Sequence, residues 1–343
     1  MRAPILIAAL ATALAAAGPG LAQSGYSLTG TVALGAPDRW DYLTFDPASH
    51  RVYVAHGDRI SVVDSDKGQV VGEVLGAPGG THGIGLSGGK GYTDDGEAGQ
   101  VIVFDPASFK VLKRIAAKPD ADGIAVDPKT GHVFVIEGDS HTVQVVDPAS
   151  DTIIATIDGG GGLEFGAASP DGKVYVNGAE RREILRIDTA TNQIDARWPI
   201  AACQSPHGLA LDAAGHRLFS TCKNKLMVIL DTDSGQVVGT APIGVGTDAA
   251  AFDPLRHRAF SSNGDGTVSV IAETGPASFT ALPSVATAPT GRTMTVDPQT
   301  GRLFVAAAEI DKSVPVVPGP GGRPGKPKLK AGSLKLLMLD PAS

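Results

Sequence analysis

One phrase recurs through this chain at intervals of 40–44 residues, from near its N-terminus to its end. A short apolar strand ends in Asp or Ser, a polar turn follows, and a second strand of the type Val-Tyr-Val comes next. A third strand usually ends in an apolar pair and Asp, and a Thr/Val-rich strand closes the unit. The first anchor falls at Asp46, Ser87, Asp127, Ser169, Asp212, Asp253 and Asp297. The second falls at Asp64, Asp105, Asp147, Asp188, Asp231 and Asp340, and the sixth copy lacks it. A period of this length with four short strands per unit signals radial repetition of four-stranded sheets. Seven copies predict an all-β fold, a seven-bladed β-propeller.

The last copy lacks an outer strand, whereas Ser27–Leu34 ahead of the first copy has the character of one. The spacing predicts a ring closed by this N-terminal strand completing the last blade, which leaves no open sheet edge at the seam. Residues 23–343 then form a single domain. The regular aspartates are read as turn formers, since Asp accepts backbone N–H bonds two residues on and a following Pro fixes φ. Between the second and third strands of the last unit lies a segment, Asp311–Ser333, rich in Pro, Gly and Lys. It reads as a long irregular loop.

Residues 1–22 read as a secretory signal. Arg2 supplies the positive start, Ile5 to Ala17 form an Ala/Leu-rich apolar stretch, and small residues precede Gln23. Cleavage would remove Arg2 and take the formal net charge from −7 to −8. An acidic chain disfavours nucleic acid and anionic membrane surfaces as partners. No later segment is long and apolar enough to span a bilayer as a helix. The expectation is an exported periplasmic monomer that meets a small molecule or an envelope protein. In an oxidising compartment the two cysteines, Cys203 and Cys222, are expected to pair. A hairpin register that sets Cys222 opposite His207 would bring them to the same rim.

The units resemble the YVTN-type β-propeller repeat of bacterial YncE-like proteins. The best match is Ser169-Pro170-Asp171-Gly172-Lys173-Val174-Tyr175-Val176-Asn177, with looser copies at Arg51–Ala55, His132–Val135 and Arg302–Ala306. The resemblance runs from about Ser24 to Asp340. It implies the architecture strongly and the activity weakly, because the motif consists of turn and core residues. Related seven-bladed families include lactonases and streptogramin lyases, whose site residues find no one-to-one match here.

Counting back five residues from each first anchor gives Asp41, His82, Asp122, Glu164, His207, Asp248 and Arg292, all ionisable. Composition gives about one chance in five per position, so the ring is a designed-looking feature. Two residues further along, the same strand face carries no polar side chain. The pattern predicts four carboxylates, two imidazoles and one guanidinium around the channel mouth. His56, Asp95 and Glu137, at the ends of second strands, are placed just outside that ring. The Asp311–Ser333 loop emerges on this face, where its lysines would fold over an acidic mouth as a lid or carry an anionic substrate.

Two functions fit. One is a binding protein that holds a small ligand, metal or protein at the mouth through Asp41, His56, Asp95, Asp122, Glu137, Glu164 and Asp248. The other is a metal-assisted hydrolase or lyase. There His82 or His207 would serve as general base, Arg292 would stabilise negative charge, and Asp41, His82, Asp122, His207 and Asp248 would supply metal ligands. A divalent metal is the one cofactor candidate, and no local ligand spacing supports it. Covalent c-type haem needs Cys-x-x-Cys-His, which does not occur. No P-loop occurs either. Gly83–Gly88 and Gly85–Gly89 match the dinucleotide and nucleophile-elbow patterns by letters alone, since each needs a strand-to-helix turn and a strand follows here.

Overall fold

The computed structural model describes residues 25–317 and 325–342. The proposed signal segment, residues 1–22, lies outside the described residues. Seven four-stranded antiparallel sheets are arranged as blades, each running outward from an inner strand a to an outer strand d. The expected closure is present. Tyr26–Ala33 pairs antiparallel with Lys335–Pro341 and serves as the outer strand of blade seven.

The repeat phrase explains the packing. The second strand of each blade buries one aromatic ring: Tyr53, Tyr92, Phe134, Tyr175, Phe219, Phe260 and Phe304, each at most 2% exposed. Opposite each, strand a carries a small residue: Thr44, Gly85, Ala125, Ala167, Ala210, Ala251 and Thr295. A small partner leaves room for a ring that spans the gap between blades, and fully burying each ring contributes roughly 1.5–3 kcal/mol. The core is therefore a set of interblade layers. Phe134, Ile136, Val143 and Val145 of blade three, for example, pack against Val174, Val176, Leu185 and Ile187 of blade four.

The anchor aspartates fold the turns as expected. Asp127 accepts from the backbone N–H groups of Lys129 (3.0 Å) and Thr130 (3.2 Å) and from the Thr130 hydroxyl (2.7 Å). Asp147 does the same with Ala149 and Ser150.

Cys203 and Cys222 form a disulfide, with Cα atoms 5.3 Å apart. The register differs from the expectation by one residue. Cys222 pairs with Pro206 rather than His207, because a bulge between Pro206 and Leu209 adds a residue to the inner strand.

The Pro/Gly-rich loop is partly tied down. Ile310 bridges Leu329, Asp311 N–H donates to the Lys328 carbonyl, and Lys330 N–H donates to that of Glu309. The Asp38 carboxylate then accepts from the N–H groups of Gly332, Ser333 and Leu334 at 2.6–2.9 Å. The return limb is thus fixed on the mouth face.

Candidate functional site at the channel mouth

The ring residues reach the channel by two routes. In blades one, two and seven the inner strand begins at Leu43, Ile84 and Thr293, so Asp41, His82 and Arg292 sit in the approach to it. In blades three to six the inner strand covers the ring position and is bulged there. The register shifts lie between Ala121 and Gly123, Leu163 and Gly166, Pro206 and Leu209, and Thr247 and Ala249. Bulges re-aim a side chain without ending the sheet. In four blades they flank Asp122, Glu164, His207 and Asp248.

Beside the ring residues Asp41 and Glu164 an aromatic pair meets across the channel. The rings of Tyr42 and Phe165 stack with centroids 4.1 Å apart and planes 29° from parallel. One belongs to blade one and the other to blade four, so the contact is made across the channel. A Cβ at Gly123, in blade three, would meet the Tyr42 hydroxyl at 3.4 Å. Sequence reasoning missed this pair, because an aromatic beside an inner strand reads as core. Burial pushes the Tyr42 hydroxyl well above its ordinary pKa, with Asp122, Asp41, Glu164 and Asp248 adding to it. The phenol tip therefore sits within the field of the ring carboxylates.

The ring divides into two halves. On one side Asp248 gathers cations. His207 Nε2 lies 2.6 Å from its Oδ1, Lys223 Nζ 3.3 Å from the same oxygen, and Arg292 Nε 3.2 Å from Oδ2. Burial favours the neutral acid, but the His207 hydrogen bond and the Arg292, His207 and Lys223 charges hold Asp248 down at about 2. His207 Nδ1 lies 3.2 Å from Glu164 Oε1, close enough for an ion pair but misaligned for a hydrogen bond. Burial would lower the His207 pKa, but Asp248 and Glu164 raise it to about 9.

On the other side the carboxylates are unmatched. Among the described residues no hydrogen bond reaches the side chain of Asp41 or Asp122. Burial, reinforced by Asp248, lifts Asp41 to about 6 against the pull of His82 and Arg292. Burial and Asp41 lift Asp122 well above the carboxylate range. His82 between them is fixed by Asp94. The Asp94 carboxylate takes the ring Nδ1 at 2.7 Å and the backbone N–H groups of His82 and Gly83 at 2.8 and 2.9 Å. Burial opposes the charge on His82, but Asp94, then Asp41 and Asp122, raise its pKa to about 9. The neighbouring carboxylates thus favour the charged form of both imidazoles, the form that donates a proton.

Three predicted site residues stand apart from the ring. His56 is fully buried, with Nδ1 2.7 Å from the Ser61 hydroxyl and Nε2 2.6 Å from the Pro37 carbonyl, so both ring nitrogens are spent on structure. Glu137 is fully buried and accepts from the Thr142 hydroxyl and from Lys118 N–H. Asp95 is buried with Oδ1 unpaired, and it is its neighbour Asp94 that lies beside His82. Successive strand residues face opposite ways, so a one-residue offset exchanges them. As for the five proposed metal ligands, no three Asp, Glu, His or Cys ligand atoms of the mouth lie within 4.8 Å of one another among the described residues.

At the blade-seven edge of the mouth a cavity of ≈ 370 Å³ opens between Asp38, Arg39, Trp40, Arg292, Lys326 and Leu329. The Arg292 guanidinium lies 5.9 Å from the Trp40 ring centroid. The return limb of the long loop thus forms one wall of this cavity.

Comparison with known proteins agrees with this architecture. A domain of unknown function, DUF5074, matches residues 57–206. The uncharacterized protein YncE of Salmonella typhimurium is 30% identical over 158 residues, as is that of Salmonella typhi. The match covers 43% of this chain and 44% of each relative, so the chain spans less than half the length of those relatives. Among solved structures, one from the mitotic checkpoint complex superposes with a TM-score of 0.71 at 16% identity, covering 90% of this chain and 96% of that one. The structure of U3-55K gives 0.74 at 11% identity, with 93% and 99% covered. Hydrazine synthase of Kuenenia stuttgartiensis gives 0.66 at 15% identity, with 77% and 91% covered. At these identities the likeness is one of fold.

Proposed function

This chain belongs to the YncE-like family of bacterial β-propeller proteins, and on that footing we propose that it is an exported, periplasmic binding protein. Its channel mouth takes a small molecule rich in hydroxyl or ammonium donors. The observation that carries this reading is the pair Asp41 and Asp122, half-buried carboxyl groups that no hydrogen-bond donor reaches among the described residues, beside the stacked Tyr42 and Phe165. Acceptors partly withdrawn from water and without donors cost free energy, and a ligand that brings donors recovers it. Tyr42 and Phe165 offer a flat face to an apolar or cationic surface of the same ligand. Export is supported by the apolar stretch at 5–17 and by the Cys203–Cys222 disulfide, a bond that persists in oxidising compartments.

Metal-assisted hydrolysis or elimination at the same mouth is the weaker alternative. A metal ligates neutral imidazoles, so it would have to displace the protons that the neighbouring carboxylates favour on His82 and His207.

Calorimetric titration with glucose, putrescine and succinate tests the reading. Glucose or putrescine should bind while succinate does not, and Asp41→Asn with Asp122→Asn should weaken that binding by at least about tenfold. Binding of succinate alone, or binding of a donor ligand that survives the double substitution, would sink it.

A further inference from the structure

The face opposite the mouth carries the a–b turns, and in one place their repeated chemistry is broken three times over. Every other first-anchor aspartate gives its second carboxylate oxygen to the residue three positions on. Asp46 accepts from Ser49, Asp127 from Thr130, Asp253 from Arg256 and Asp297 from Thr300. In blade five that position is Gly215, which has no side chain to offer. Asp212 Oδ1 accepts the Ala214 N–H at 3.1 Å, but Oδ2 is buried and unpartnered, in a residue only 3% exposed. A Cβ at Gly215 would sit 2.1 Å from that oxygen, so the glycine also keeps the space beside it open.

The second break is Glu273. Its N–H donates to the His257 carbonyl as Ser65 N–H does to His50 and Thr232 N–H to His216. Where those blades carry a small buried hydroxyl residue, blade six carries a carboxylate. The third break is His257 itself. The equivalent His50 and His216 each pair with an aspartate one residue further on, Asp66 at 2.9 Å and Asp233 at 2.8 Å. In blade six that place is Thr274, and the His257 Nδ1 approaches only Glu273, at 3.9 Å.

These three side chains line one cavity of ≈ 260 Å³ between blades five and six. One ligand atom from each lies within 4.8 Å of the other two. Arg217 borders the same cavity, but its guanidinium donates to Asp231, to the His216 carbonyl and to the Pro276 carbonyl. The two carboxylates face each other, with the His257 imidazole within ion-pair range of Glu273 at 3.9 Å. Burial and the Asp212 charge push Glu273 up to about 7.

We propose that Asp212, His257 and Glu273 form a divalent transition-metal site of the Zn²⁺ class, clasping blades five and six on the face away from the mouth. Two carboxylates and an imidazole are a borderline donor set that suits Zn²⁺ better than Ca²⁺ or Mg²⁺, which take oxygen alone. Donors around Zn²⁺ stand about 3.3 Å apart for bonds of about 2.0–2.1 Å. Closing the site needs a shift of about 1–1.5 Å, which the His257 side chain, 62% exposed, is free to make. Three protein ligands leave a fourth position for water or for a partner's side chain.

The test uses the full mature chain, stripped with chelator and passed through a desalting column. Zn²⁺ should bind at one ion per chain by elemental analysis and raise Tm by about 4 °C at a hundredfold excess over Kd, with Ca²⁺ and Mg²⁺ inert. His257→Ala, at an exposed turn position, should weaken Zn²⁺ binding by roughly 100-fold, and Glu273→Gln by as much or more. His207→Ala at the mouth should leave the ion in place. Without metal, Glu273→Gln should raise Tm by relieving the carboxylate pair, whereas with saturating Zn²⁺ it should lie below the unsubstituted protein. Absence of a stoichiometric ion, equal response to Ca²⁺, or an ion that persists in His257→Ala and Glu273→Gln and leaves in His207→Ala would each overturn the proposal.

Discussion

The two faces of the ring use the same residue types to opposite ends. On the turn face, aspartate recurs with one job: Asp46, Asp127 and Asp297 each accept from a backbone N–H two residues on and from a hydroxyl three residues on. On the mouth face, the ring residues are partnered unequally. Asp248 gathers three cations, while Asp41 and Asp122 have no hydrogen-bond donor among the described residues. Repetition marks where a residue builds the fold. Individual variation at a repeated position marks where the fold is used. By the same rule, the anchor aspartate whose second oxygen lacks its partner, Asp212 beside Gly215, is the one that invites a ligand.

The contrast is broken most forcefully at Asp248, the mouth residue that behaves like a structural one. Asp248→Ala would leave His207, Lys223 and Arg292 crowded without their shared counter-charge, at a cost of about 3–5 kcal/mol. The dependence on pH identifies the cause. With His207 raised to about 9 and Asp248 held at about 2, the pair contributes fully between about pH 4 and 6.5. That contribution fades as pH climbs through 9 or falls through 2. Chemical denaturation across this range should show the gap between the two proteins closing at both ends. A gap that is flat with pH would mean that the loss is one of packing.

On the turn face, Asp127→Ala should cost about 2 kcal/mol, because a fully buried acceptor of three hydrogen bonds is removed and its donors are stranded. Thr130→Ala alone should cost about half as much. Urea denaturation measures both, and neither should depend on pH above about 5, since Asp127 lies below its ordinary range despite burial.

The turns were legible in the sequence because their chemistry is local. Asp-Pro at the end of an apolar strand dictates its own hydrogen bonds within four residues. The ring was legible as positions, through its fixed offset from each anchor, but not as a set of contacts. Asp94 rather than Asp95 holds His82, and His56 and Glu137 turn into the blade, because facing depends on strand register to the single residue. Lys223 lies beyond the second strand of blade five and joins Asp248 of blade six only through the closing of the ring. The stack of Tyr42 on Phe165 spans blades one and four, a contact 123 residues apart in sequence that no local pattern encodes.

The smallest effect is the sharpest, because its sign is reversed. Asp41 carries an ionised carboxylate that burial and Asp248 disfavour, so its folded-state pKa rises from 3.8 to about 6. The folded state then binds this proton more tightly than the unfolded chain, and stability declines as pH rises through that interval. Asp41→Asn removes the charge and should stabilise the protein by roughly 1–2 kcal/mol above pH 6, with the gain vanishing below about pH 4. The same substitution should weaken ligand binding at the mouth. A residue that costs stability and is kept for binding is what a functional site requires, whereas the turn aspartates lower stability when removed. Thermal melts of the two proteins at pH 4 and pH 7 decide the matter. If Asp41→Asn is destabilising at pH 7, the carboxylate belongs with the turn residues as part of the scaffold, and the division between the two faces fails at its central member.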